Sequence, residues 1–364
     1  MVIELILLIL GLILLIKGAN LIVDSGAKLA KAFGISEFVI GLTIVAIGTS
    51  LPELAASISA AISNDSTFIV GNIIGSNIAN ISLVLGLSVL MGAITFQKKA
   101  FNRSSWLFII INIVFLLTCL DQTLTRIEGA LMFILFIIYI IYLYQPQPDE
   151  KERKYGGFLN ELYKIRNVFR LKNLKSFFIK LFRARTYVRI FHRIFKRKTP
   201  KGKYEEIKKE IEKEPVVDSL VFLIGIIIIY FGAKFTVDNA IGISDILGIT
   251  TNFISLTLVA FGTSLPEIVV TIVAVKRGLG NIVIGNIIGS NITNILLIGG
   301  ISSMILPLKI LDMTLLYTLP FMLLMSVIFL IILKFSKKLH VWEGIILLTL
   351  YITFILGLAY ILFF

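Results

Sequence analysis

The sequence predicts an all-α polytopic membrane protein: ten transmembrane helices arranged as two inverted five-helix repeats. Three observations predict it: the density of apolar residues, an internal duplication at one fixed offset, and the way basic residues divide between the connections. The chain of 364 residues is 57% hydrophobic and 16% charged, where a soluble domain is typically about 25% charged. Its mean hydropathy is +0.95. So much apolar surface cannot be hidden in one aqueous core, and stretches of about 20 apolar residues, each enough to cross a ~30 Å hydrocarbon layer, recur from Val2 to Phe364. Five fall in each half, at 2 to 23, 37 to 62, 68 to 92, 104 to 120 and 127 to 144, then 217 to 237, 250 to 275, 281 to 306, 313 to 333 and 341 to 363. The first has no basic leader and no small-residue cleavage site, and carries Lys17, Asn20 and Asp24 toward its end, so it reads as a retained span rather than a signal peptide. The single cysteine, Cys119, lies inside an apolar run and excludes an intramolecular disulfide.

The duplication is explicit. TIVAIGTSLPE at 43–53 returns as TLVAFGTSLPE at 257–267, and GNIIGSNI at 71–78 returns unchanged at 285–292, both offset by 214 residues. The same offset joins Gly18 to Gly232, Asp24 to Asp238, Asn80 to Asn294 and Gly86 to Gly300. A weaker match at 215, Glu128-Gly129 with Glu343-Gly344, extends the repeat toward the end of each half. With five spans per half, the second half enters the membrane from the opposite side to the first, provided the connecting loop returns to the side it left.

The basic residues test that count. Residues 146–215 hold 21 of the 35 Lys and Arg against nine acids, so most of the net charge of +13 is in this loop. If the loop is cytoplasmic, the other cytoplasmic connections carry Lys28, Lys31, Lys98, Lys99, Arg103, Lys276, Arg277, Lys334, Lys337 and Lys338, while the opposite ones carry only Arg126, Lys234 and Lys309. Both termini are then expected outside, in the plasma membrane of the cell. The chain divides into a first repeat at 1–145, a basic loop at 146–215 and a second repeat at 216–364.

An ionisable residue at the centre of a span costs about 2.5–3.5 kcal/mol on insertion scales and needs a partner or a purpose. Glu53 and Glu267 are two such residues, each following Gly-Thr-Ser-Leu-Pro. Pro52 and Pro266 lack an N–H and clash with the carbonyl four residues back, so both helices are expected to break there. Freed carbonyls, the hydroxyls of Thr49, Ser50, Thr263 and Ser264, and the two carboxylates are hard oxygen ligands, which suit Na⁺ and Ca²⁺. On the next helix Asn72, Ser76 and Asn80 recur every four residues and share one face, as do Asn286, Ser290 and Asn294. Intramembrane Asn also serves simply to bond helix to helix, and that reading stands beside the functional one for Asn72, Asn77, Asn286 and Asn291. For Glu53 and Glu267 a purely structural role would leave two matched carboxylates repelling each other with no matched base. Inverted repeats with broken helices near the midplane are a recurring plan of secondary transporters.

The paired GTSLPE and GNIIGSNIxN segments resemble the two alpha repeats, here 41–81 and 255–295, of the sodium/calcium exchanger branch of the cation/calcium antiporter superfamily. The resemblance covers nearly the whole chain apart from 146–215. It implies exchange of Na⁺ for Ca²⁺ by alternating access, with the ions as cargo and no cofactor. It places ligands at Ala46, Thr49, Ser50, Glu53, Ser76 and Asn80, and at Ala260, Thr263, Ser264, Glu267, Ser290 and Asn294, the alanines through their carbonyls. Some members carry an aspartate at the position of Asn294, so this site has two carboxylates rather than three. Two carboxylates neutralise one Ca²⁺.

A proton/Ca²⁺ or other divalent-cation antiporter is the nearest alternative, against which the GTSLPE form of the motif speaks. An intramembrane hydrolase is the enzyme alternative, and its weakness is that His192 and His340 lie in or beside basic loops, leaving Ser50 and Ser264 no His base and the chain no HExxH motif, so no enzyme is expected. The loop interleaves aromatic and aliphatic residues such as Phe158, Leu162, Phe169 and Phe177 with Lys and Arg over about 151–203. It reads as a basic amphipathic segment on anionic lipid, in preference to a solvated linker or a nucleic-acid site.

Overall fold

The computed structural model describes residues 2–33, 35–143, 215–246, 262–336 and 338–363; the basic loop and Ala260 lie outside them. The helices are α1 (Val2–Phe33), α2 (Glu37–Thr49), α3 (Leu51–Ile62), α4 (Ser66–Met91), α5 (Lys98–Thr118), α6 (Arg126–Leu143), α7 (Pro215–Ile246), α8 (Leu265–Lys276), α9 (Gly280–Ile305), α10 (Thr314–Phe335) and α11 (Val341–Phe363). Seven of these are long and apolar enough to cross a membrane, or eight with α2 and α3 as one bent span. The protein is an all-α polytopic membrane protein, and large apolar side chains such as Ile3, Ile13, Leu131, Ile138 and Leu356 are exposed on its flanks as lipid-facing residues must be.

The first helix extends ten residues past Val23, where the apolar stretch ends, and in the added turns Ser25 donates its hydroxyl to the carbonyl of Leu21. In α5 the apolar part begins only at Ser105.

Glycines decide how the helices meet. In α1, Gly18 lies against Ile229 and Gly225 of α7, where a Cβ would stand 2.8 Å from a backbone nitrogen, and Gly11 lies against Gly232 and Thr236. Positions rising along α1 meet positions falling along α7, so these two helices, counterparts at the 214 offset, run antiparallel. Gly86 of α4 packs on Gly344 of α11, and Gly300 of α9 packs on Gly129 of α6. The last helix of each half therefore closes on the GNIIGSNI helix of the other, α11 on α4 and α6 on α9. Two short antiparallel pairings repeat this exchange: β1 (Ile94–Thr95) with β4 (Lys338–Leu339), and β2 (Thr123–Leu124) with β3 (Leu308–Lys309). The two Glu-Gly pairs act alike. Glu128 accepts from the backbone and hydroxyl of Thr125 at 2.8 Å, and Glu343 accepts from the backbone N–H of His340 at 2.5 Å, each closing a helix N-terminus one residue before its packing glycine.

Candidate ion-binding site

The chain bends by 44° between α2 and α3. The break falls at Ser50 (φ −85°, ψ 7°), just before Pro52, whose missing N–H suits the open first turn of a helix. Ser264 (φ −83°, ψ 0°) and Pro266 repeat the arrangement at the start of α8. Ahead of the first break, Gly41–Val45 forms a wider π-helical turn, in which the Thr43 hydroxyl donates to the Val39 carbonyl at 2.7 Å and competes with the backbone for it. Further π turns begin at Asn80 and at its counterpart Asn294.

Glu53 and Glu267 stand in the first turns of α3 and α8 and are each 1% exposed. Ser50 links the halves by donating its hydroxyl to Glu267 Oε1 at 3.4 Å. Both carboxylate oxygens of Glu53, Glu267 Oε2 and the Ser264 hydroxyl are buried and have no hydrogen-bond partner among the described residues. Two carboxylates in one water-poor site repel strongly unless a cation sits with them, and their unpartnered oxygens keep acceptor lone pairs available to one. Among the described residues no cluster of three or more His, Cys, Asp or Glu exists. The remaining donors of charge density are neutral oxygens.

Candidate neutral oxygens stand on α2, α4 and α9. Gly41, Gly285 and Gly289 let α2 and α9 touch backbone to backbone: a Cβ on Gly289 would stand 2.4 Å from the Leu42 carbonyl oxygen. That contact brings Thr49 onto the polar stripe of α9, where its hydroxyl meets Asn286 Oδ1 at 3.3 Å and Ser290 Oγ at 3.4 Å while also reaching Ala46 O of its own helix at 3.2 Å. Ser76, Asn80, Ser290 and Asn294 are all buried. Asn80 has both side-chain polar atoms unpartnered among the described residues, and Asn294 its Oδ1. Thr263 is helical and half-buried at the end of the segment preceding Ser264.

Asn72 instead donates to the main-chain oxygen of Glu53 at 3.2 Å and to Ser57 Oγ at 2.9 Å, tying α4 to the turn that carries the carboxylate. Ser57 and its counterpart Thr271, both buried, are the residues that reading the sequence passed over. Each stands four residues, one helical turn, beyond a glutamate at the 214 offset, which was the available signal.

Two halves with matching proline turns at Ser50 and Ser264, matching buried carboxylates and matching Asn/Ser stripes accord with the match to the sodium/calcium exchanger protein family over residues 3–145 and 218–360. The chain belongs to that family. The match skips the basic loop. The sodium/calcium exchanger MaX1 of Methanosarcina acetivorans is 37% identical over 359 residues, covering 99% of each chain. An uncharacterized membrane protein of Methanocaldococcus jannaschii is 34% identical over 356 residues, covering 96% of each. Among solved structures, the sodium-calcium exchanger NCX_Mj soaked with 10 mM Na⁺ and zero Ca²⁺ superposes with a TM-score of 0.74 at 30% identity, covering 98% of this chain and 100% of that one. The same exchanger soaked with 100 mM Na⁺ and 10 mM Sr²⁺ gives a TM-score of 0.74 at 31% identity, covering 98% of each chain. As a member of this transporter family the protein is not an enzyme, and its ions are substrates rather than cofactors.

Proposed function

We propose that the protein exchanges Na⁺ for Ca²⁺ across the membrane by alternating access, binding both ions near the midplane between two inverted five-helix repeats. The observation that carries this reading is the buried pair Glu53 and Glu267, each in the first turn of a helix that starts at a matched proline motif, with Ser50 of one half reaching Glu267 of the other. Two carboxylates balance one Ca²⁺ without excess charge. Neutral oxygens of Thr49, Ser76, Asn80, Ser264, Ser290 and Asn294, with main-chain carbonyls at Ala46 and Ala260, complete a hard-oxygen set. Thr263 belongs to it by its equivalence to Thr49.

The inverted, ten-span topology is supported by contacts between connections. Arg277 pairs with Asp24 and donates to Asn20, the backbone of Gln97 donates to Asn281 at 2.8 Å, and Lys98 donates to the Lys334 carbonyl at 2.8 Å. Each joins residues assigned to the cytoplasmic side. Gln122 donates to Asp312 at 2.6 Å and Arg126 to the Ile305 carbonyl at 3.4 Å, joining residues assigned outside. The antiparallel packing of counterparts α1 and α7 is likewise what inversion requires. On this reading the termini are extracytoplasmic, the protein resides in the plasma membrane, and the loop at 146–215 faces the cytoplasm and anionic lipid.

The deciding experiment is ⁴⁵Ca²⁺ uptake by proteoliposomes with and without an opposing Na⁺ gradient. Uptake that requires the Na⁺ gradient is expected. Uptake driven by a pH gradient and indifferent to Na⁺ would replace this reading with proton/Ca²⁺ antiport.

A further inference from the structure

We infer that Asn77 is a positioning residue of the ion site, holding Asn294 so that the carbonyl oxygen of its side chain, and not its NH₂ group, is free for a cation. The inference rests on the exchange reading above. Its starting point is an acceptor that admits no ambiguity. The Asn291 main-chain carbonyl can only accept, and Asn77 Nδ2 donates to it at 3.3 Å. The same Nδ2 faces the Met322 sulfur at 3.7 Å, also an acceptor. The NH₂ end of Asn77 is therefore committed to these two groups, and its Oδ1 points the other way.

Asn294 Nδ2 donates to that Oδ1 at 3.0 Å. Reversing the Asn294 amide would set oxygen against oxygen, so the bond fixes the orientation and leaves Asn294 Oδ1 outward. That atom is buried and unpartnered among the described residues, on a side chain 1% exposed. Asn294 lies one turn beyond Ser290 and two beyond Asn286, the residues that Thr49 touches, so it continues the polar stripe of the site.

The counterpart of Asn77 does not do this. Asn291 turns its NH₂ group onto the Ile287 carbonyl of its own helix at 2.7 Å, and its Oδ1 has no partner among the described residues. Asn80, the counterpart of Asn294, has both polar atoms unpartnered there. One amide of the site is pre-oriented and the other is not. An aspartate at 294 would place a carboxylate oxygen against Asn77 Oδ1.

The test is a double-mutant cycle in proteoliposomes, reading the Na⁺ concentration that half-saturates Na⁺-driven ⁴⁵Ca²⁺ flux and the maximal flux. Asn77→Ala should raise the half-saturating Na⁺ about fivefold, the scale of one net hydrogen bond, while maximal flux is kept. In an Asn294→Ala background the same change should add nothing. Asn291→Ala, which keeps the main-chain carbonyl that Asn77 needs, should leave half-saturation within about twofold of wild type. Equal effects of Asn77→Ala with and without Asn294 overturn the inference while wild-type exchange upholds the reading beneath it. Wild-type protein without Na⁺-driven flux overturns both. Should Asn77→Ala not fold, Asn77→Ser, too short to span to Asn294, must show the same dependence on Asn294, and independence from it overturns the inference equally.

Discussion

Residues 71–78 and 285–292 spell the same eight amino acids and occupy different surroundings. In α9 the copy is wholly buried, and a Cβ on Gly285 would stand 2.4 Å from the Phe38 carbonyl oxygen. In α4, Gly71 is exposed and no described atom lies within 4 Å of the same construction. The most apolar stretch of α9 is 100% buried against 78% for α4. Identical local sequence gives identical helices, each entering a π turn at its final asparagine, but it does not give identical neighbours. The polar side chains follow the neighbours: Asn286 and Ser290 meet Thr49 of the other half, while Asn72 bonds to Ser57 and the backbone of Glu53 in its own. A duplicated chain can thus keep its chemistry symmetric while its packing is not.

The strongest test of this contrast lies where symmetry should hold. Glu53→Gln and Glu267→Gln each keep side-chain shape and leave a dication one carboxylate short in a low-dielectric site. Na⁺-driven ⁴⁵Ca²⁺ flux is expected to fall below about 1% of wild type in both, since the missing Coulomb attraction amounts to several kcal/mol. Normal flux in either variant would remove that carboxylate from the site.

Packing should separate the copies. Gly285→Ala drives a methyl into the α2 backbone, and overpacking of this kind costs about 1–3 kcal/mol. Thermal unfolding in detergent should show a clear loss of stability. Gly71→Ala meets open space and should be neutral or stabilising by up to about 1 kcal/mol, because alanine is the better helix former. Equal losses at the two glycines would mean that the difference in burial has no energetic weight.

Smaller effects are expected at the stripe ends. On the exchange reading Asn80→Ala and Asn294→Ala each remove one neutral ligand and should weaken exchange about tenfold, the scale of one hydrogen bond to a charged group. The loss should fall more on the Na⁺ dependence than on Ca²⁺ binding. Least of all, Arg277→Ala breaks the pair with Asp24 that ties α8 to α1, an arrangement without a repeat because Ser63 stands at the equivalent position. Both partners are partly exposed, so the cost should stay within about 1 kcal/mol and shrink as salt is raised.

The all-helical membrane class, the duplication, the breaks at the two proline motifs and the candidate carboxylates were legible in the sequence, because each rests on local chemistry. A bilayer demands a certain run of apolar residues, proline cannot donate, and a carboxylate in hydrocarbon needs a reason to be there. The sequence alone also put Thr49, Ser290 and Asn294 among the candidates, by motif and by spacing along a helix. It did not reveal that α2, through Gly41, is the helix that presses against α9, that the last helix of each half closes on the GNIIGSNI helix of the other, or that Asn77 and Asn291, the same residue twice, choose different partners. Those choices depend on which backbone stands opposite. The approach of two helices to within contact distance is a property of the pair, so neither helix carries it in its own residues, and only the tertiary structure could decide it.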